Sequence, residues 1–195
     1  MCNWETFRKQ IPTGLNFSLS GIPYWNTDIG GFFNWPYHGG AENKAYHELY
    51  TRWFQYGTFL PMQRSHGSGV KKEIYNLGKK GDWVYDSEEK YINLRYALLP
   101  YLYSTGWQVT DNAGSFLRAL FMDFNEDKKV HTISNQYMFG KAFLVTPVTR
   151  NMYVFSDKEQ WKDPYEDFSK TGTQDVYLPK GTKWFDFWTG EVLNG

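Results

Sequence analysis

Residues 21–33 read Gly-Ile-Pro-Tyr-Trp-Asn-Thr-Asp-Ile-Gly-Gly-Phe-Phe. The first five are short, apolar and aromatic, the pattern of a buried strand around Gly21–Trp25. The rest bring Asn, Asp and a Gly-Gly pair, the chemistry of a loop. The flanks give this strand-to-loop step its meaning. Upstream, Trp4, Phe7 and Ile11 recur at the spacing of one helical face, before Pro12 and Gly14 disturb it. Downstream, residues 34–41 are rich in Pro and Gly and read as loop. Residues 42–56 then set Ala45, Leu49, Trp53 and Tyr56 on one helical face, and Gly57 offers a stop. Thr58–Met62 reads as a second short strand, ending in Gln63-Arg-Ser-His-Gly. The Gly- and Lys-rich stretch 67–86 is expected to be a long surface loop. Asp86-Ser-Glu-Glu89 has the form of a capping box. It opens a helix through Tyr91, Leu94, Leu98 and Leu102, kinked at Pro100 and ended at Thr105-Gly106 or within Asp111–Gly114. The order helix–strand–helix–strand–helix is that of a parallel α/β sheet or barrel.

After residue 114 the texture changes. Ser115–Phe124, Gln136–Val148, Asp175–Leu178 and Lys183–Trp188 are strand-like and separated by turns, and no helix is expected among them. The fold class is therefore α/β followed by all-β. Residues 1–114 form the first unit and 115–195 the second, with a polar insertion loop over 151–173 that embeds Trp161 and Tyr165. The sequence holds no internal repeat.

Composition narrows the function. With 9 Trp, 15 Tyr and 15 Phe, aromatics make up 20% of 195 residues, which excludes a disordered chain. Lys and Arg (21) balance Asp and Glu (21), so the long-range field of a nucleic-acid or anionic-membrane binder is missing. No apolar stretch approaches the ~20 residues of a membrane span. The one cysteine, Cys2, excludes an internal disulfide and a multi-Cys zinc site.

On spacing alone, Asp28 is first of all a turn-forming residue before a flexible Gly-Gly. The alternative is that, at the C-terminal mouth of a parallel barrel, its carboxylate offers two acceptor oxygens to sugar hydroxyls. His66 follows the second strand in the same way. It is either a partly buried His with its needs met, or a donor to a substrate hydroxyl. Tyr24, Trp25, Phe32, Phe33 and Trp35 crowd into twelve residues, where flat rings can stack on sugars or simply build core. His38, His47 and His131 are isolated. No metal-ligand spacing, nucleophile elbow, phosphate loop or dinucleotide fingerprint is present.

Six segments taken together resemble glycoside hydrolase family 31, the α-glucosidases and α-xylosidases. They are Ser20-Gly-Ile-Pro-Tyr-Trp-Asn-Thr-Asp-Ile-Gly-Gly-Phe, Arg52-Trp-Phe-Gln-Tyr-Gly-Thr-Phe-Leu-Pro-Met-Gln-Arg-Ser-His-Gly, Leu94-Arg-Tyr-Ala-Leu-Leu-Pro-Tyr-Leu-Tyr, Gln136-Tyr-Met-Phe-Gly, Val145-Thr-Pro-Val and Trp184-Phe-Asp-Phe-Trp-Thr-Gly. They stand in the family's order across nearly the whole chain. The resemblance implies the last two strand–helix units of a (β/α)8 TIM barrel, followed by part of a β-sandwich. It implies that Asp28 and His66 hold the sugar in the −1 subsite, that Phe32 lines that subsite and Trp25 walls it more weakly, and that Arg64 orients its loop. It implies an oligosaccharide substrate and no cofactor, with the α-xylosidases slightly ahead of the α-glucosidases.

The resemblance also has gaps. The family hydrolyses with retention, through an Asp nucleophile and an Asp acid/base ~5 Å apart. The nucleophile's motif belongs to the fourth barrel strand. The acid/base belongs to a Trp-x-Gly-Asp-like motif shortly before a segment such as Trp4-Glu-Thr-Phe-Arg. Neither has a counterpart here, where Met1-Cys2-Asn3 precedes Trp4. In Lys80-Gly-Asp-Trp only Trp83 lines up. Both ends look cut, so the expectation is a fragment that is inactive alone and partnered by the missing N-terminal part of the barrel. The rivals are a non-catalytic carbohydrate-binding module and a truncated or split-gene product. Neither nucleic acid nor a membrane is expected as a partner.

Overall fold

The computed structural model describes residues 2–157, 161–170 and 172–195. Helix α1 spans Trp4–Leu19. Asn3 starts it by accepting the Thr6 amide at 2.7 Å, one of the N–H groups a first turn leaves unpaired. Its buried face is Trp4, Phe7, Ile11 and Leu15. Pro12 and Gly14 do not end it. Pro12 removes one intrahelical hydrogen bond, which the packed face outweighs. Gly14 supplies room: a Cβ there would lie 2.7 Å from Cδ1 of Trp25.

Helix α2 spans Lys44–Thr58 and is buried nearly all round. The Asn43 side chain caps it, accepting the amides of Ala45 and Tyr46. Ala45, Leu49, Trp53 and Tyr56 are buried, and Phe7 of α1 stacks on Trp53 with centroids 4.8 Å apart. Gly57 is no stop. It lies inside the helix, where a Cβ would meet Cδ1 of Ile29 at 2.5 Å. The missing side chain lets Ile29, and Asp28 beside it, settle onto α2.

The stretch read as surface loop contains a one-turn helix, α3, Ile74–Leu77. Helix α4, Trp83–Ala97, begins a turn before the expected capping box. Its two early acids bind the preceding turn instead. Asp82 accepts the Lys79 amide and Asp86 the Gly81 amide, each at 2.9 Å. Pro100 does separate α4 from α5, Leu99–Asn112, and sits in the first turn, where its absent N–H is not missed. Ala113, with φ of 50°, ends α5.

The strands expected at 21–25 and 58–62 are not regular strands. Residues 22–28 are irregular, and 59–62 form a bend after α2. A barrel strand is bonded on both edges, and among the described residues neither segment belongs to a sheet. The residues that follow them, 29–33 and 64–68, run side by side and parallel. Ile29 N–H donates to the Arg64 carbonyl at 3.3 Å and Ser68 N–H to that of Phe32 at 2.8 Å. A parallel bridge joins Phe33 and Ser68.

The second region is antiparallel. Strands β1 (Leu117–Ala119), β2 (Tyr137–Phe139) and β3 (Phe143–Val145) make one sheet, with β2 central. Strands β4 (Val154–Phe155) and β5 (Tyr165–Glu166) pair, as do β6 (Lys183–Phe185) and β7 (Val192–Asn194). The described residues thus show three small sheets, and Asp175–Leu178 is no strand. Contrary to expectation, one-turn helix α6, Leu120–Asp123, follows β1, and Lys128–Thr132 form a 3-10 turn. A two-pronged Arg118–Asp123 bond, 2.8 and 2.7 Å, folds the chain back there. The insertion 151–173 is more than a loop, since β4 and β5 lie within it; its residues 158–160 and 171 are outside the described residues.

One core serves both regions. Phe116, Leu117, Tyr137, Phe139, Val145 and Val154 belong to the same buried cluster as Trp53 and Phe7. Tyr137 Oη donates to the Phe59 carbonyl at 2.9 Å, and Tyr101 Oη to that of Phe139 at 2.7 Å.

Candidate active site

The candidate residues lie on the two parallel loops, 28–33 and 64–68. Gly30 and Gly31 take φ of 75° and 77°, a conformation that only glycine adopts without strain. Gly30 also leaves room for Tyr50, whose Cδ2 a Cβ would crowd, and Gly31 packs on Cα of Cys2. Gly31 N–H donates to the Asp28 carbonyl at 2.8 Å, closing a tight turn that sends Phe32 outward.

Phe32 and His66 meet edge to face, ring centroids 5.5 Å apart. Phe33 lies against Phe32 at 4.6 Å, and Trp35 stacks on Phe33 at 4.6 Å. Phe32, Phe33 and Trp35 are exposed. Asp28 is half-buried and His66 exposed. Arg64 joins the two loops through its carbonyl, which accepts Ile29 N–H. Trp25 is not part of this group. Its half-buried ring lies against Phe17, centroids 4.8 Å apart, and over Gly14 of α1.

Lys72 did not stand out in the sequence. It is 7% exposed, and its ammonium donates to three carbonyls: Ile29 at 2.7 Å, Gly31 at 2.6 Å and His66 at 2.7 Å. Two belong to the Asp28 loop and one to the His66 loop. Burial pulls its pKa down to about 8, opposed by the nearby Cys2 and Asp28. The Cys2 thiol is pushed up to about 12 by burial, with Lys72 pulling the other way, and remains protonated. Tyr50 of α2 completes the support, its hydroxyl bonded to Ser65 Oγ at 2.6 Å and to the Lys72 carbonyl at 2.8 Å. Lys72 stands next to Lys71 in a Gly- and Lys-rich stretch, and no local signal separates the two.

Among the described residues no group of His, Cys, Asp and Glu is arranged to hold a metal ion. A cavity of 830 Å³ lies between β3 and the β6–β7 hairpin, lined by Phe143, Trp184, Phe187 and Trp188 among others. None of Trp25, Asp28, Phe32 and His66 borders it.

The model of the glycosyl hydrolases family 31 TIM-barrel domain matches residues 1–105. The chain belongs to glycoside hydrolase family 31. The family's C-terminal domain matches residues 113–195. An α-xylosidase of Saccharolobus solfataricus is 45% identical over 193 residues, 99% of this chain and 23% of the relative. An α-glucosidase of the same organism is 29% identical over 195 residues, 99% of this chain and 24% of the relative. The solved family 31 α-xylosidase of Xanthomonas citri is similar with a TM-score of 0.84 at 39% identity, covering all of this chain and 20% of its own. A family 31 α-xylosidase from a soil metagenome, complexed with xylose, has a TM-score of 0.81 at 30% identity, again over all of this chain and 28% of its own. The chain thus spans about a quarter of the length of the curated relatives it matches.

Proposed function

We propose that this chain is part of a retaining α-glycosidase that removes terminal α-linked xylose or glucose from oligosaccharides, and that it supplies sugar-holding residues of the −1 subsite. Residues 1–114 are the last two strand–helix units of the barrel, and 115–195 the β region after it. Asp28 accepts sugar hydroxyls through its carboxylate, and His66 bonds a neighbouring one. Phe32 lines the sugar face. Trp25, packed on Phe17 and over Gly14, is the weaker candidate for the same wall.

One observation carries this reading. Asp28, Phe32 and His66 sit on adjacent parallel loops that backbone bonds and Lys72 hold together, which fits the loops at a barrel mouth where active sites form. The identity to an α-xylosidase favours xylose ahead of glucose. The oxocarbenium-like transition state needs a nucleophile and an acid ~5 Å apart. By the motif match both belong to sequence outside residues 1–195, so this chain positions the sugar and leaves bond cleavage to the rest of the enzyme.

The test is Asp28→Ala and His66→Ala in the full-length enzyme. A hydrogen bond to a charged acceptor is worth about 1.5–3 kcal/mol, so Asp28→Ala should lower kcat/KM on an aryl α-xyloside about ten- to a hundredfold. His66→Ala should cost somewhat less. Both variants should melt within a few degrees of the parent. Unchanged efficiency in both, or loss of the fold, would return the two residues to purely structural roles.

A further inference from the structure

We propose that Lys72 is the positioning residue that sets the spacing and aim of the Asp28 and His66 loops, by clamping carbonyls from both under a single ammonium. The proposal rests on the reading of Asp28 and His66 as sugar-holding residues. Its geometry stands apart from that reading.

The sequence separations show what the clamp does. Lys72 lies six residues from His66, but 41 and 43 residues from Gly31 and Ile29. A short-range bond and two long-range bonds share one nitrogen, so a shift of either loop strains the other. An ammonium has three donors and no acceptor, and all three point at carbonyls here. Gly67 belongs to the same device. A Cβ on it would lie 2.6 Å from the Phe32 carbonyl and 2.8 Å from Nζ of Lys72. The loops close to this distance only because that position has no side chain.

The groups facing Nζ explain why the cation serves structure. From the start of α1 comes the protonated Cys2 thiol, and from the 28–33 loop the Asp28 carboxylate. The 64–68 loop offers only the His66 carbonyl. From α2, the Tyr50 hydroxyl bonds the backbone of Lys72 itself. Asp28 alone carries a negative charge, and it reaches Lys72 through space without a bond between them. The carboxylate is thereby steadied while its oxygens stay available. Since burial draws Lys72 down to about 8, the clamp slackens as pH rises through that value and the ammonium loses its proton.

The experiment uses the full-length enzyme and the variants Lys72→Met, Lys72→Arg and Gly67→Ala. It reads KM and kcat on an aryl α-xyloside, binding of free xylose and of free glucose, and amide exchange at Gly31, Ser68 and the α4 backbone. Lys72→Met should raise KM and the sugar Kd about tenfold or more. It should speed exchange at Gly31 and Ser68 at least tenfold, with α4 unchanged. Lys72→Arg should recover part of the affinity and remove the loss of binding expected above about pH 8 in the parent. Gly67→Ala, which keeps the cation and only crowds it, should weaken sugar binding several-fold. Unchanged KM and exchange in Lys72→Met would overturn the proposal, as would exchange that rises equally over α4. If Lys72→Met does not fold, Gly67→Ala decides, and unchanged binding there overturns it. Exchange needs no sugar, so it tests the clamp even if Asp28→Ala shows the subsite reading to be wrong.

Discussion

At the scale of single residues, this molecule keeps ionisable groups where a core would normally exclude them. Lys72 is one, and Glu88 on α4 is another. Glu88 is fully buried, its Oε1 accepting from Thr51 Oγ1 at 3.4 Å and its Oε2 unpartnered among the described residues. Burial raises its pKa to about 8, with the Thr51 bond opposing. The folded state therefore holds a proton that the unfolded chain gives up near 4.5. The contribution of Glu88 to stability is greatest below that value, falls between about 4.5 and about 8, and levels off above. Glu88→Gln should melt like the parent near pH 4.5 and above it at pH 9, by on the order of a few kcal/mol since one pKa unit is about 1.4 kcal/mol. Melting curves at the two pH values check this, and an equal shift at both would refute it. Asp28, Phe32 and His66 stood out in the sequence because six family segments stand in order around them, and the structure brings Phe32 and His66 into contact. Lys72 did not stand out, since its importance lies in carbonyls more than forty residues away.

At the scale of elements, periodicity found the helices and pairing decided the strands. The faces of α1 and α2 came out as their 3–4 spacing implied. Residues 21–25 and 58–62 have strand composition but form no strand ladder among the described residues, and no pattern within a segment reports which partner it will meet. Cations and carboxylates fill part of the gap. Arg95 of α4 donates to the carbonyls of Thr58 and Leu60 at 2.7 and 2.6 Å, and to that of Pro61 at 2.8 Å. It anchors the start of the segment whose far end Lys72 holds. Glu48 of α2, 2% exposed, does the converse. Its carboxylate accepts the amides of Met152 and Val154 at 2.7 and 2.8 Å, and that of Tyr153 at 3.3 and 3.2 Å. Glu166 of β5 accepts from Trp83 Nε1 and Lys44 Nζ. The 151–173 segment is thus docked on α2 and α4 by carboxylates. Leaving buried donors unsatisfied costs about 1–3 kcal/mol each. Glu48→Ala should therefore destabilise by on the order of 3 kcal/mol or more and lower the melting temperature by roughly 6 °C or more. Glu48→Gln, which keeps one acceptor oxygen, should lose about half as much. A melt unchanged by Glu48→Ala would mean the three amides find other partners.

At the scale of the whole molecule, the described surface exposes many large apolar side chains. Ile22, Tyr24, Tyr103, Trp107, Phe185 and Trp188 are all exposed, and contiguous apolar surface drives association. The 195-residue polypeptide alone should self-associate with rising concentration, which sedimentation velocity would show; a monodisperse monomer across the range would contradict it. On the proposed reading, which puts the nucleophile and the acid elsewhere in the enzyme, the same preparation should not turn over aryl α-xylosides or α-glucosides. Turnover that survives Asp28→Ala would sink that expectation. The change of texture at residue 114 was plain in the sequence. The shared core was not, because apolar residues carry no label saying which partner they will meet. That shared core bears on how the polypeptide behaves when cut. A protease that nicked the exposed Asn112–Ala113 bond would sever the chain without parting the pieces. Glu48 would still grip the amides of 152–154, and Tyr137 would still reach the Phe59 carbonyl. On a denaturing gel the digest would run as two bands, and on a sizing column it would elute as though uncut.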